Sequence, residues 1–94
     1  MTWQIKFALE YLRNSTNLNS AEHIRDDAIK IELHDGAEVI AVISASYKIT
    51  RKLIAQYHAD FPSMNFLCGY RKECIWEGGA ITYAQENQIG WGNA

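Results

Sequence analysis

The sequence predicts a single small α/β domain in which a mixed β-sheet is flanked by helices. Ala28–Leu33 alternates apolar and polar side chains, and Glu38–Ser44 follows a turn as an almost wholly apolar run. An amphipathic helical pattern then leads to a third apolar run at Met64–Cys68. Because 94 residues suit one domain with one core, we place the whole chain, 1–94, in a single domain with the order α-β-β-α-β-α-β.

The first helix is predicted to follow an N-cap at Thr2 and to end near Arg13. Its apolar residues recur at spacings of three and four, and aromatic side chains are expected to widen the buried stripe: Trp3, Phe7 and Tyr11. The next segment, 14–20, is rich in Asn and Ser, so we expect a polar loop there, with at most one helical turn around 21–24.

The hairpin is predicted from the Asp35-Gly36 dipeptide, which favours a two-residue turn. This turn aligns the two strands so that Asp27 lies opposite Ser44. Because Val39–Ile43 lacks alternation, the second strand should be buried on both faces inside the sheet.

A second helix is predicted to begin after a cap at Ser46 and to end before Pro62. A strand, helix and strand in this order predict a right-handed parallel crossover. After a mixed loop from Gly69 to Gly79, we expect a third helix over Ala80–Gln88 and a closing strand at Ile89–Trp91.

The composition excludes several classes of protein. The chain is 48% hydrophobic, contains three Trp and has a net charge of −2, which is typical of a globular protein and argues against a general polyanion binder. No apolar run approaches the roughly 18 residues of a membrane span, so we expect no membrane association and a cytoplasmic location. Cys68 and Cys74 have no partner at zinc-finger spacing, which favours reduced cysteines over a structural metal.

The segment Val39–Trp91 resembles the core of the restriction-endonuclease-like, PD-(D/E)XK superfamily: a hairpin, a crossover helix, a strand, then a small-residue loop that opens a helix before a final strand. The tail Gly78–Trp91 is similar to the Mrr-type ending of that group. The likeness covers about half of the chain and depends on apolar pattern and topology.

The resemblance implies an Asp at one hairpin strand and an acid-x-Lys triplet on the next, which together hold Mg²⁺ and assist the attacking water. The predicted register puts Ser44-Ala45-Ser46 at the triplet, so the implied metal site is degenerate and we expect no cofactor and no catalysis. The alternative is a Mg²⁺-dependent nuclease that uses Asp27 with Glu38 or Lys48.

Basic residues are concentrated in the second half of the chain, since residues 47–94 hold five Lys/Arg and four Asp/Glu, whereas residues 1–46 hold four and seven. These five side chains are candidates for contact with nucleic acid: Lys48, Arg51, Lys52, Arg71 and Lys72. A solvated helix face explains the first three equally well. We therefore expect a noncatalytic protein that recognises a protein partner or forms a homo-oligomer, with nucleic-acid binding as an alternative.

Overall fold

The computed structural model describes residues 3–15 and 17–94, so the predicted cap at Thr2 lies outside the described residues. The described residues form these elements: α1 Trp3–Arg13, β1 Leu18–Arg25, β2 Ala28–Leu33, β3 Glu38–Ser44, β4 Lys48–Ile49, α2 Arg51–Asp60, β5 Phe66–Gly69, β6 Ile75–Trp76, α3 Gly78–Glu86 and β7 Gly90–Asn93.

The α/β prediction is confirmed, since a mixed five-stranded sheet in the order β1-β2-β3-β5-β7 packs with three helices. β1, β2 and β3 are antiparallel neighbours, whereas β3, β5 and β7 run parallel to one another. β3 lies in the middle of the sheet as predicted. The helices α2 and α3 serve as the crossovers that parallel strands require.

β1 was not predicted, because the segment around Asn19 and Ser20 has the composition of a loop. Only Ala21 of this strand is buried, and its pairing with β2 shifts register between Leu18 and Ser20 and again between His23 and Arg25. Because of these two irregularities, apolar and polar side chains do not alternate along β1 as they do in a regular strand, so the sequence pattern does not indicate a strand.

The hairpin register differs by one residue from the predicted one. Leu33 and Ala37 close the loop through a backbone hydrogen bond of 2.9 Å, so three residues form the turn rather than two. Gly36 alone has a positive φ, +87°, in this turn, whereas a primed two-residue turn of type I′ needs positive φ at both central positions. Asp27 therefore lies opposite Ile43, whose amide donates to the Asp27 carbonyl at 2.8 Å.

The start of the second helix was also predicted wrongly. Thr50, not Ser46, is the N-cap, and its hydroxyl accepts a hydrogen bond from the Leu53 amide at 3.1 Å. The residues before it form β4, which pairs in parallel with β6 and takes Lys48 out of the helix. The pairing of β4 with β6, which lies far along the chain, prevents the helix from starting earlier. The local sequence around Ser46 does not reveal this pairing.

The two faces of the sheet are covered unequally. One face carries α2 and α3 over a core that includes Val42, Ile54 and Leu67, each fully buried. The other face carries only α1, which packs against β1 and β2 through Ile5 and Leu9. α1 also packs near Ile43 of β3. Phe66 and Cys68 of β5 are only partly buried, so this face is partly open over β5 and β7.

No helix among residues 3–15 and 17–94 is long and apolar enough to cross a membrane.

Candidate functional site

The carboxyl ends of the parallel strands meet at one edge of the sheet, where α/β proteins commonly bind ligands. Ser44 of β3 pairs with Gly69 of β5, which in turn pairs with Asn93 of β7. Gly69 has no side chain to obstruct Asn93, whose amide nitrogen donates to the carbonyls of Lys72 and Cys74. The edge is therefore built of hydroxyl, amide and backbone groups.

Ser44 is completely buried, and its side chain connects neighbouring parts of the fold. Its hydroxyl accepts hydrogen bonds from the Ser46 amide and from the Tyr57 hydroxyl, both at 3.2 Å. Burial raises the pKa of Tyr57, and the nearby carboxylate of Asp27 raises it further, against the hydrogen bond to Ser44. The protonated phenol of Tyr57 donates to Ser44 and so links α2 to β3. Neither hydroxyl group is a charged ligand for a metal ion.

Asp27 occupies the same edge, and its pKa is raised by burial and then by the charge of Asp26, partly opposed by His23. The structure does not bring it together with the other residues of the nuclease alternative. Glu38 lies at the turn end of the hairpin, 3.8 Å from Lys30, and five residues along β3 from Ile43, the partner of Asp27. At about 3.3 Å of rise per residue, the two acids are roughly 16 Å apart along the strand.

Lys48 lies on β4 and is exposed. Among the described residues, no group of three or more His, Cys, Asp or Glu side chains is arranged to hold a metal ion.

The five candidate basic residues are distributed over three elements at or beyond this edge. Lys48 belongs to β4, Arg51 and Lys52 begin α2, and Arg71 and Lys72 follow β5. All five are exposed. They do not share one helix face, so the predicted i, i+3, i+4 cluster of the first three is wrong for Lys48.

Arg71 is the most organised of the basic side chains. Its guanidinium lies over the ring of Tyr47 at 5.2 Å and over the ring of Tyr70 at 5.3 Å. Trp3 makes an edge contact with Tyr70 at 5.8 Å. A weak ion pair at 3.8 Å links Arg71 to Glu73 and reduces the local positive charge. One exposed and one partly buried aromatic ring therefore lie against a single cation at the sheet edge.

An apolar groove with a volume of about 590 Å³ lies beside α1. One wall is α1 and the floor is the partly open part of the sheet. Its lining is almost entirely apolar and includes Phe7, Tyr11, Ile43, Phe66, Cys68 and Tyr70. Burial raises the pKa of the Cys68 thiol, which keeps this side chain neutral and apolar at neutral pH.

The aromatic stripe of α1, defined as Trp3, Phe7 and Tyr11, stands beside this groove. The sequence predicted these side chains to be buried, but they are 64%, 65% and 75% exposed. They recur every four residues and so lie along one side of the helix. The sequence did contain a signal for this surface. The apolar stripe of α1 is wider than a helix needs when it packs on the sheet through one side only, the side that carries Ile5.

No protein-family model matches the chain, and neither the curated proteins nor the solved structures provide a match. Functional inference therefore depends on the geometry of the chain itself.

Proposed function

We propose that this chain is a noncatalytic assembly protein that forms a homodimer through the aromatic stripe of α1 and the apolar groove beside it. The observation that carries the proposal is the exposure of Trp3, Phe7 and Tyr11 along an apolar groove. Contiguous exposed apolar surface of this kind is unusual on a monomer and marks interaction sites.

The exposed aromatic side chains supply about half of the area that a stable dimer needs. A large aromatic side chain buries about 150–250 Å² when it is covered. At 64–75% exposure, the three side chains together offer about 400 Å² per copy, half of the roughly 800 Å² per partner of a stable interface. The floor of the groove supplies further apolar area beside them.

A second copy suits this surface because each chain offers both an aromatic ridge and an apolar groove, and a two-fold interface uses the same patch twice. The groove contains few polar groups to orient a small ligand or a charged peptide. Covering it with the same surface of another copy buries apolar area on both sides.

The absence of catalysis in this proposal follows from the separation of the candidate acids. The order of hairpin, α2, β5, α3 and β7 agrees with the order that the nuclease resemblance implies, which supports a nuclease-like scaffold. Opposite Asp27, however, Ile43 has no oxygen ligand in its side chain, and Glu38 lies at the far end of the same strand. Cleavage of supercoiled plasmid with Mg²⁺ or Mn²⁺ that is lost in Asp27→Ala would overturn this part of the proposal.

Sedimentation equilibrium tests the dimer directly. The wild-type chain is expected to be dimeric at micromolar concentration, and Phe7→Glu to be monomeric, because a charge would be buried at the centre of the stripe. Ile24→Glu is the matched control: Ile24 is also exposed and apolar, at 46%, but lies on β1 outside the groove. A monomeric wild type at high micromolar concentration, or an unchanged Phe7→Glu dimer, would refute the proposal.

A second candidate function, weak binding of single-stranded nucleic acid, is favoured by the stacking of Arg71 between Tyr47 and Tyr70. Aromatic rings and guanidinium planes provide sequence-tolerant stacking for bases, and Lys48, Lys52 and Lys72 lie on the same edge or beyond it to meet phosphates.

Fluorescence anisotropy with a labelled oligonucleotide tests this candidate. Binding should weaken with salt and fall about tenfold in Arg71→Glu, with a smaller loss in Lys52→Glu. Lys6→Glu makes the same charge change on α1 and serves as the control. Equal effects of all three variants would indicate net charge alone and would exclude a stacking site.

A further inference from the structure

The outer side of α1 carries charges as well as aromatic side chains. At 100° per residue, Lys6 and Glu10 lie on one flank of Trp3, whereas Phe7 and Tyr11 lie on the groove flank. Both charged residues are exposed. A single helix therefore presents an apolar stripe that is bordered on one side by a cation and an anion one turn apart.

Neither Lys6 nor Glu10 has an ion-pair partner within the part of the chain that the structure describes. Lys30 provides a contrast, since its ammonium group lies 3.1 Å from Glu22 and 3.8 Å from Glu38. The flank of α1 thus keeps two opposite charges available to a neighbour.

We propose that the two copies of the homodimer pair their α1 helices antiparallel, with the two-fold axis near Ala8. This inference rests on the proposed self-association and adds its register. Ala8 is the midpoint between Lys6 and Glu10, so an antiparallel pair sets Lys6 opposite the partner's Glu10 twice. The two-fold axis keeps like flanks together, so the charged flank meets the charged flank and the aromatic flank meets the aromatic flank.

A parallel arrangement is disfavoured by the same charges. In a parallel pair the two-fold axis runs along the helices and brings unlike flanks together, so Lys6 and Glu10 would face the partner's aromatic flank and lose both attractive contacts. The antiparallel pair also brings Phe7, the residue before the axis, to the centre of the interface, where apolar anchors contribute most to affinity. With 11 residues, α1 is about 16 Å long, so the whole helix takes part in the contact.

Charge reversal tests the register. Lys6→Glu and Glu10→Lys should each raise the dimer Kd about fivefold, because each turns two attractive contacts into repulsive ones. The double variant, Lys6→Glu with Glu10→Lys, should return the Kd to within about twofold of wild type. An equimolar mixture of the two single variants should form a heterodimer preferentially, and these differences should shrink in 0.5 M NaCl.

The outcomes separate the register from the self-association. Single variants with an unchanged Kd, or a double variant no tighter than the singles, would overturn the antiparallel register, while a monomeric Phe7→Glu would still support dimerisation through the stripe. A Phe7→Glu variant that dimerises like wild type would overturn both.

Discussion

The two faces of the sheet differ in how completely the chain covers them. Under α2 and α3, the residues Ile54, Leu67 and Ala84 are fully buried, and all of them belong to one continuous core. Under α1, Ile5 and Leu9 are buried over β1 and β2, but the surface over β5 and β7 is a groove. The comparison teaches that one face is closed by a continuous core, whereas the other combines a smaller core with an exposed apolar groove.

The sequence treats the two faces differently as well. The helices of the closed face have small residues where they meet, such as Ala80 and Ala84, which allow close approach. α1 places Trp3 and Phe7 on the side away from its own core. Large aromatic side chains that are mostly exposed add little to monomer packing, whereas such side chains contribute strongly to interfaces.

The largest effect is expected from truncation on the closed face. Ile54→Ala should lower the free energy of unfolding by about 3 kcal/mol, because it leaves a cavity at a fully buried position. Phe7→Ala, on the open face, should cost less than about 1 kcal/mol when urea unfolding is followed at a concentration low enough to keep the chain monomeric. Equal losses for the two variants would show that the groove belongs to the monomer core.

A smaller difference is expected between the two thiols. Both are free; Cys68 lies in the groove and Cys74 is 6% exposed. A maleimide should label Cys68 at least about tenfold faster, since Cys74 reacts only after local opening. Because burial raises the pKa of Cys68, its labelling should keep accelerating as pH rises above the ordinary thiol value of 9.0.

The same labelling experiment reports on the groove. If the proposed dimer forms, raising the protein concentration should slow the reaction at Cys68 and leave Cys74 unchanged, because the second copy would cover the groove and not Cys74. Mass spectrometry of tryptic peptides assigns the site. If Cys68 reacts at the same rate at all concentrations, the dimer does not use the groove.

The smallest effect concerns Asp27 at the sheet edge. Its pKa is raised above the ordinary value of 3.8, mainly by burial, so the folded chain holds this proton more tightly than the unfolded chain does. The contribution to stability is present below pH 3.8 and is lost as pH rises through the raised pKa. Asp27→Asn should therefore be more stable than wild type at neutral pH by less than about 1 kcal/mol, with the advantage vanishing at low pH. Chemical unfolding at several pH values measures this, and a constant difference at all pH values would contradict it.

The central part of the fold could be predicted because its signals are local and agree with one another. The unbroken apolar run of β3 requires cover on both faces. A helix that connects this strand to the next favours a parallel crossover between them. The same reasoning reached β5, α3 and β7 to within a few residues at each boundary.

The remainder depends on interactions that a linear pattern does not contain. Asp35-Gly36 is compatible with turns of two or three residues, and only the closing contact between Leu33 and Ala37 selects the longer one. That choice moved Asp27 from Ser44 to Ile43 and so changed the candidate site. The width of the apolar stripe of α1 could be seen in the sequence, but which of its side chains are exposed depends on how α1 sits on the sheet.

The two register shifts of β1 have a consequence for the size of any assembly. This strand forms one margin of the sheet, and its irregular backbone presents a poorly spaced row of amide and carbonyl groups to the outside. The outer edge of β1 is therefore a poor template for pairing with another extended chain, which disfavours fibril growth at this edge.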